Sequence, residues 1–255
     1  VVTPSPRASA RREEAAATER VFRYIQRLVE RQRLKPGDRL PTERELARDA
    51  GVSRPSVRTG LRSLSALGVV RSRRGSGTFI QDGPLTLDAE PLSLLATLHG
   101  VSYPEMFQAR RALEAEVAAL AAVRATPDQI AAMAEEVAAM FECFDDPQGF
   151  LVHDVRFHRA VAHGSNNPVL AAVVTMVSTV VYRWRRKTMR RARDLRESAA
   201  MHRRIYQAIR RHDAEGARQA MLEHLRVAQA RYVAEEQAAR PRVRRAPAAH
   251  KRRRQ

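Results

Sequence analysis

A single cysteine, Cys143, is the only thiol in this chain. One thiol excludes an intramolecular disulfide framework, and with it the small secreted scaffolds that depend on one, so a reducing compartment is expected. Aromatic residues are also scarce, at 5% of 255, while Ala, Leu and Val supply most of the 44% hydrophobic content. That balance favours helices packed on helices, because Ala and Leu are strong helix formers. No apolar run reaches the length of a membrane span: AAVVTMVSTVVYRW (171–184) stops at Arg183 and Arg185. The first residues, VVTPSPRASARREE, lack the apolar stretch of a secretory leader. Acidic residues are outnumbered as well, 28 against 46 Lys and Arg, for a net charge of +18. Such an excess points to a polyanionic partner, nucleic acid before membrane, although a biased genome composition also enriches arginine.

What is present divides the chain. Residues 1–14 show no apolar periodicity and are expected to be disordered. From about Thr18 to Leu34, Val21, Tyr24, Ile25, Leu28 and Val29 recur at helical spacing, until KPGD (35–38) breaks the pattern. Thr42 with Glu45 has the capping-box spacing for a short second helix ending near Gly51. Ser53 caps a third helix, which carries Val57, Leu61, Leu64 and Leu67 on one face. VVRSRRGSGTFI (69–80) is two β-prone runs around a basic, Gly-rich turn, hence a hairpin. Three helices and a hairpin over residues 15–81 are the layout of a winged helix-turn-helix. A linker is expected at 82–91, where two prolines interrupt any period. An antiparallel helical bundle should fill 92–238, with segments near 103–124, 127–144, 148–163, 167–191, 194–212 and 214–236. The basic, Pro-interrupted end, 239–255, reads as a disordered tail that either solubilises the chain or adds phosphate contacts.

Arg54 and Arg58 are four residues apart and so share one face of the helix that buries Val57, Leu61 and Leu64. A recognition helix needs that arrangement, because Arg can donate two hydrogen bonds to the O6 and N7 of guanine. Ser56, near the helix N-terminus, is suited to phosphate, and Arg73 and Arg74 beside Gly75 put charge at the tip of the wing.

In the second half, LVHDVRFHRAVAH (151–163) packs three histidines and an aspartate into one helix. Asp154 and His158 are one turn apart and can face one centre. His153 is turned about 100° from Asp154, and His163 about 140° from His158. Further ligands for a metal ion would have to come from facing helices. His202 precedes the inward stripe of Ile205, Tyr206 and Ile209, and His224 lies among Met221, Leu222 and Leu225, so these two suit better than His99, His212 or His250. Taken alone, the residues leave two readings open: a four-ligand centre, or buried histidines hydrogen-bonded within a core.

The stretch GDRLPTERELARDAGVSRPSVRTGLRSLSALGVVRSRRGSGTFI (37–80) resembles the GntR superfamily of bacterial transcription regulators. It carries G-x-x-L-P-S/T-E-R-x-L-A, then G-V-S-R-x-S/T-V-R, then a Leu-rich run to G-x-G-T-F. The resemblance implies that Arg44, Arg54 and Arg58 read bases or anchor a palindromic double-stranded operator, and that Gly75 lies at the wing tip. Two departures are Thr59 and Gly60, where the family usually has Glu and Ala. Glycine inside a helix costs about 0.5–1 kcal/mol relative to Ala, so a less rigid recognition helix is expected.

Farther on, QARRALEAEVAALAAVRAT, DVRFHRAVAHGSNNPVL and HRRIYQAIRRHDAEGARQAMLEHL are similar to the FCD ligand-binding domain of FadR-type members. By that resemblance Asp154, His158, His202 and His224 bind a divalent transition metal, commonly zinc or nickel. Met201 stands where an acidic residue is common. The open coordination positions would take a small carboxylate effector, with Arg110 pairing its second carboxylate. Within the chain, Arg110 can also pair with Glu114 at i+4, and Asn167, a further effector-contact candidate, can cap the helix beginning at Pro168. The expectation is a homodimeric, metabolite-responsive regulator, a repressor, working in the bacterial cytoplasm at the nucleoid. Two other classes are weaker. A metal-dependent enzyme has no spare general base at a clear spacing, and a general chromatin-associated protein would bind through the tail without sequence preference.

Overall fold

The computed structural model describes the backbone of residues 6–188 and 195–239, and the side chains of 14–186 and 195–235. The basic end from 240, and the last residues of the helix expected to reach 191, lie outside the described residues. The chain divides into two compact units, Val1–Glu90 and Pro91–Gln255.

In the first unit, α1 (Pro6–Glu30), α2 (Glu43–Ala50) and α3 (Arg54–Ala66) precede an antiparallel hairpin of β1 (Val70–Arg73) and β2 (Gly77–Ile80). Val21, Ile25, Leu46, Val57, Leu64, Val70 and Ile80 form its core. The capping box is realised: Thr42 Oγ1 accepts from the Glu45 N–H at 3.3 Å, and Glu45 Oε2 accepts from the Thr42 N–H at 2.8 Å. Thr42→Ala should cost about 1 kcal/mol of stability, read as a lower unfolding midpoint that Thr42→Ser largely restores. An Ala variant melting like the parent would show the cap to be dispensable.

The hairpin turns at Gly75, whose φ of +77° few other residues adopt. A short segment pairs with its outer edge: the Leu40 N–H donates to Thr78 O, and the Ile80 N–H donates to Asp38 O, each at 2.8 Å. Gly60 has a packing role beside its effect on helix propensity. It is buried, and a Cβ there would stand 3.1 Å from Val21. The missing side chain lets α3 approach α1 closely, so the glycine marks tight packing between the two helices.

Two expected boundaries shift. The stretch expected to be disordered, 1–14, is helical from Pro6, because RASARREEAAA is rich in helix formers and Pro is well placed in a first turn. The expected linker 82–91 is shortened by α4 (Ala89–Leu98), a helix missing from the expected set. Pro91 lies in its first turn, where a missing N–H costs nothing.

The second unit continues with α5 (Tyr103–Arg124), α6 (Pro127–Glu142), α7 (Pro147–Gly164), α8 (Pro168–Thr188), α9 (Leu195–Arg210) and α10 (Ala214–Ala239). Its helix starts are legible in their caps: Ser102 with Glu105 and Thr126 with Gln129 make capping boxes, and Asp146 caps α7. α5 lies at the centre, packed against α7, α8, α9 and α10. Phe107, Met133, Met140, Phe150, Phe157, Ile205, Ile209, Met221 and Leu225 fill the interior. Among the described residues, no helix is long and apolar enough to cross a membrane.

Candidate metal centre and nucleic-acid interface

Three helices of the second unit bring Asp154, His158, His202 and His224 together. α7 supplies the first two from successive turns, α9 supplies His202, and α10 supplies His224. One ligand atom from each lies within 4.8 Å of all the others, and every one of the four is at most 3% exposed. His158 Nε2 and His224 Nε2 are 3.2 Å apart, and His202 Nε2 is 3.3 Å from Asp154 Oδ1.

This donor set fits a divalent transition metal. Ligand atoms about 2.0–2.1 Å from a common ion, at tetrahedral or octahedral angles, sit about 2.8–3.4 Å apart, and the two pairs fall in that range. Among the described residues, Asp154 Oδ1 and His202 Nε2 are buried without a hydrogen-bond partner. Buried polar atoms are rarely left so, and a shared cation would satisfy both.

The outer atoms point the rings inward. His202 Nδ1 donates to Ser198 O at 2.8 Å, which leaves Nε2 as the lone-pair nitrogen facing the centre. His158 Nδ1 lies 2.6 Å from Glu114 Oε2, so its Nε2 is directed likewise. Glu114 is gripped in turn by Arg110, with Nε to Oε1 at 2.5 Å and Nη2 to Oε2 at 3.3 Å.

Electrostatics keep the set ready to ligate. Burial pushes His158 below the usual imidazole range, against the opposing pull of Glu114. Burial, reinforced by His202 and His158, pushes His224 well below it. Both rings are therefore neutral, the form that binds metals. Burial alone would raise Asp154, but His202, when it carries a proton on Nε2, and Arg185, whose Nη1 is 3.6 Å from Oδ1, outweigh it and hold the carboxyl well below the usual range. Burial would also raise Glu114, and Arg110 and His158 overcome it, bringing the group to about 2.

The other candidates are placed elsewhere. His153 pairs with Glu136 at 2.7 Å, His212 Nδ1 meets Ala122 O at 2.8 Å, His99 and His163 are exposed, and His250 lies outside the described residues. Arg110 is engaged with Glu114 inside the bundle. Asn167 caps α8, its Oδ1 accepting from the N–H groups of Val169 and Leu170 at 3.1 and 3.2 Å. Its carbonyl is thereby committed to the helix start, the capping role the sequence also offered. Glu114, Ser198 and Arg185 were not anticipated as parts of the centre. Only Glu114 carried a signal, its i+4 spacing from Arg110.

In the first unit, Val57 and Leu64 of α3 are buried while Arg54 and Arg58, one turn apart on the same helix, are exposed, and Arg44 is exposed on α2. Ser56 is partly exposed at the start of α3, with its N–H donating to Ser53 Oγ at 3.2 Å. Arg74 and Gly75 are exposed at the hairpin turn, and the Arg73 guanidinium lies over the Phe79 ring at 5.0 Å. One residue on this face was not foreseen. Glu43, the first residue of α2, accepts from Arg58 Nε at 2.8 Å, and its Oε2 is 3.8 Å from Arg54 Nη2.

Known proteins resemble both units. Residues 17–80 match the family described as bacterial regulatory proteins, gntR family, and residues 105–227 match the FCD domain. A candidate regulator of the L-lactate dehydrogenase operon from Escherichia coli (strain K12) is 35% identical over 212 residues, covering 79% of this chain and 80% of that protein. The HTH-type transcriptional repressor NanR from Edwardsiella tarda (strain FL6-60) is 31% identical over 215 residues, covering 82% of each. Among solved structures, Streptococcus agalactiae GntR superposes with a TM-score of 0.65 at 27% identity, covering 84% of this chain and 99% of that one.

Proposed function

The chain belongs to the gntR family of bacterial regulatory proteins and carries an FCD domain, and from that membership we propose that it is a metabolite-responsive, sequence-specific transcriptional repressor. The observation that carries this reading is the pairing of two sites on one chain. One is the exposed arginine face of α3, and the other is a buried four-donor centre in a separate helical unit. Arg54 and Arg58 read base edges in the major groove, while Arg44, Ser56, Arg73 and Arg74 hold the phosphates beside them, with Gly75 shaping the wing. A homodimer presents two such helices to the half-sites of a palindromic operator.

Asp154, His158, His202 and His224 would hold a zinc or nickel ion. The ion supplies open Lewis-acid positions suited to the oxygen of a small carboxylate effector. An organic acid is also the class to which the E. coli relative's operon points. Arg110, buried and cationic, is the residue to receive a second carboxylate of that effector, by exchanging part of its pairing with Glu114. Effector binding shifts DNA affinity only so far as it favours one arrangement of the dimer over another.

The test is a competition between DNA from upstream of the chain's own gene and mixed-sequence DNA, at about 0.15 M salt. A preference of about 10³ or more is expected. Affinity should fall by about 10³–10⁵ between 50 and 200 mM salt if six to ten phosphates are contacted. Equal binding to both DNAs would refute the regulator reading.

A further inference from the structure

We propose that Glu43 is a positioning residue for base readout, one that holds the guanidinium groups of Arg58 and Arg54 in their reading geometry before DNA arrives. The inference rests on α3 being the recognition helix, and it adds a residue that the DNA-contact set does not contain. Glu43 occupies the first turn of α2, where the positive end of the helix dipole favours a carboxylate and the Thr42 cap fixes the helix start. From there its side chain, 35% exposed, crosses to the neighbouring helix and accepts from Arg58 Nε at 2.8 Å. With Nε engaged, the two terminal nitrogens are the pair left to face outward. Two parallel donors are what the O6 and N7 of guanine require.

The same Oε2 stands 3.8 Å from Arg54 Nη2. Arg54 and Arg58 are one helical turn apart, so their like charges repel, and a carboxylate shared between them keeps both directed from one side. An unrestrained arginine loses rotamer freedom when it is fixed. A partner that restricts it in the free protein reduces that loss on binding. Arg54 and Arg58 are 59% and 55% exposed, so packing restricts them little.

Two simpler roles make different predictions. If Glu43 only screens the helix from phosphates, removing its charge must tighten binding to every DNA alike. If Glu43 itself accepts from the N4 amine of cytosine, its removal must lower specificity whether or not Arg58 is present.

The experiment uses the full chain and two duplexes, one selected by the wild type from a randomised pool and one of mixed sequence. Glu43→Ala, Glu43→Gln, Arg58→Ala and the Glu43→Ala/Arg58→Ala pair are compared at one salt concentration, with melting curves to confirm folding. Positioning predicts that Glu43→Ala leaves mixed-sequence affinity equal or tighter while the specific-to-mixed ratio falls at least about fivefold. Glu43→Gln, which keeps an acceptor for Arg58, falls less, and in the Arg58→Ala background removing Glu43 no longer changes the ratio. An unchanged ratio in Glu43→Ala overturns the inference, as does an equal fall with and without Arg58. A wild type that enriches no sequence at all overturns the regulator reading, and this inference with it.

Discussion

Replacing His158 and His224 together by alanine should leave the chain without its transition metal. Elemental analysis of the purified wild type should give near one zinc or nickel per chain, and the double variant less than about a tenth of that. The expectation follows from where the donors sit. His158 Nε2 and His224 Nε2, 3.2 Å apart, come from α7 and α10, and their loss leaves Asp154 and His202 as the remaining pair. Four-ligand protein sites for zinc are worth about 10–16 kcal/mol. Removing half the donors forfeits several kcal/mol, enough to lower affinity on the order of a thousandfold. Melting separates loss of metal from loss of fold. An ion at 100 times its Kd stabilises the native state by about 2.7 kcal/mol, which is several degrees for a domain of this size. Chelated wild type should therefore regain several degrees on adding zinc, and the double variant should not respond. A wild type that is purified without metal, and melts identically with and without added zinc or nickel, would leave the four residues as a buried polar cluster only.

The contrast between Asp154 and Glu114 shows what could be foreseen from the chain. Asp154 and His158 announce themselves by a four-residue spacing, which places two side chains over one another on any helix. His202 and His224 were separable from the other histidines by the apolar stripes around them, and the family resemblance then joined the four. Glu114 has the same spacing from Arg110, but that spacing also describes an ordinary intrahelical ion pair. Its contact with His158 comes from the packing of α5 against α7, which one-dimensional spacing does not encode. Ser198 enters through a backbone carbonyl, and carbonyls have no residue-type signature at all. The helix starts were legible because caps are local chemistry. α4 escaped because its apolar residues follow no strong stripe and Pro91 reads as a breaker until its place in the first turn is known. Glu43 was hidden for the same reason as Glu114: it sits fifteen residues from Arg58, and only the α2–α3 geometry closes that distance.

Arg58→Ala should lower discrimination between operator and mixed-sequence DNA by about fivefold to over a hundredfold while leaving the chain folded. Arg58 is 55% exposed and its carboxylate partner Glu43 keeps access to water, so truncation neither opens a cavity nor buries a lone charge. The cost therefore falls on DNA. One good bidentate arginine–guanine pair carries about 1–3 kcal/mol of discrimination, so the operator should bind about fivefold to over a hundredfold more weakly than to the wild type, with mixed-sequence DNA changing far less. Arg74→Ala is the informative comparison. It is exposed beside Gly75 at the hairpin turn, clear of the α3 face, and a phosphate contact there is blind to sequence. Its loss should weaken all duplexes alike and reduce the slope of log affinity against log salt by about one. Deleting residues 240–255 should act in the same sequence-independent direction if the tail touches phosphates. The two kinds of variant thus separate reading from holding on one molecule. Should Arg58→Ala weaken selected and mixed DNA by the same factor, α3 would be a solvated basic surface, and the chain's affinity for DNA would come from its net charge.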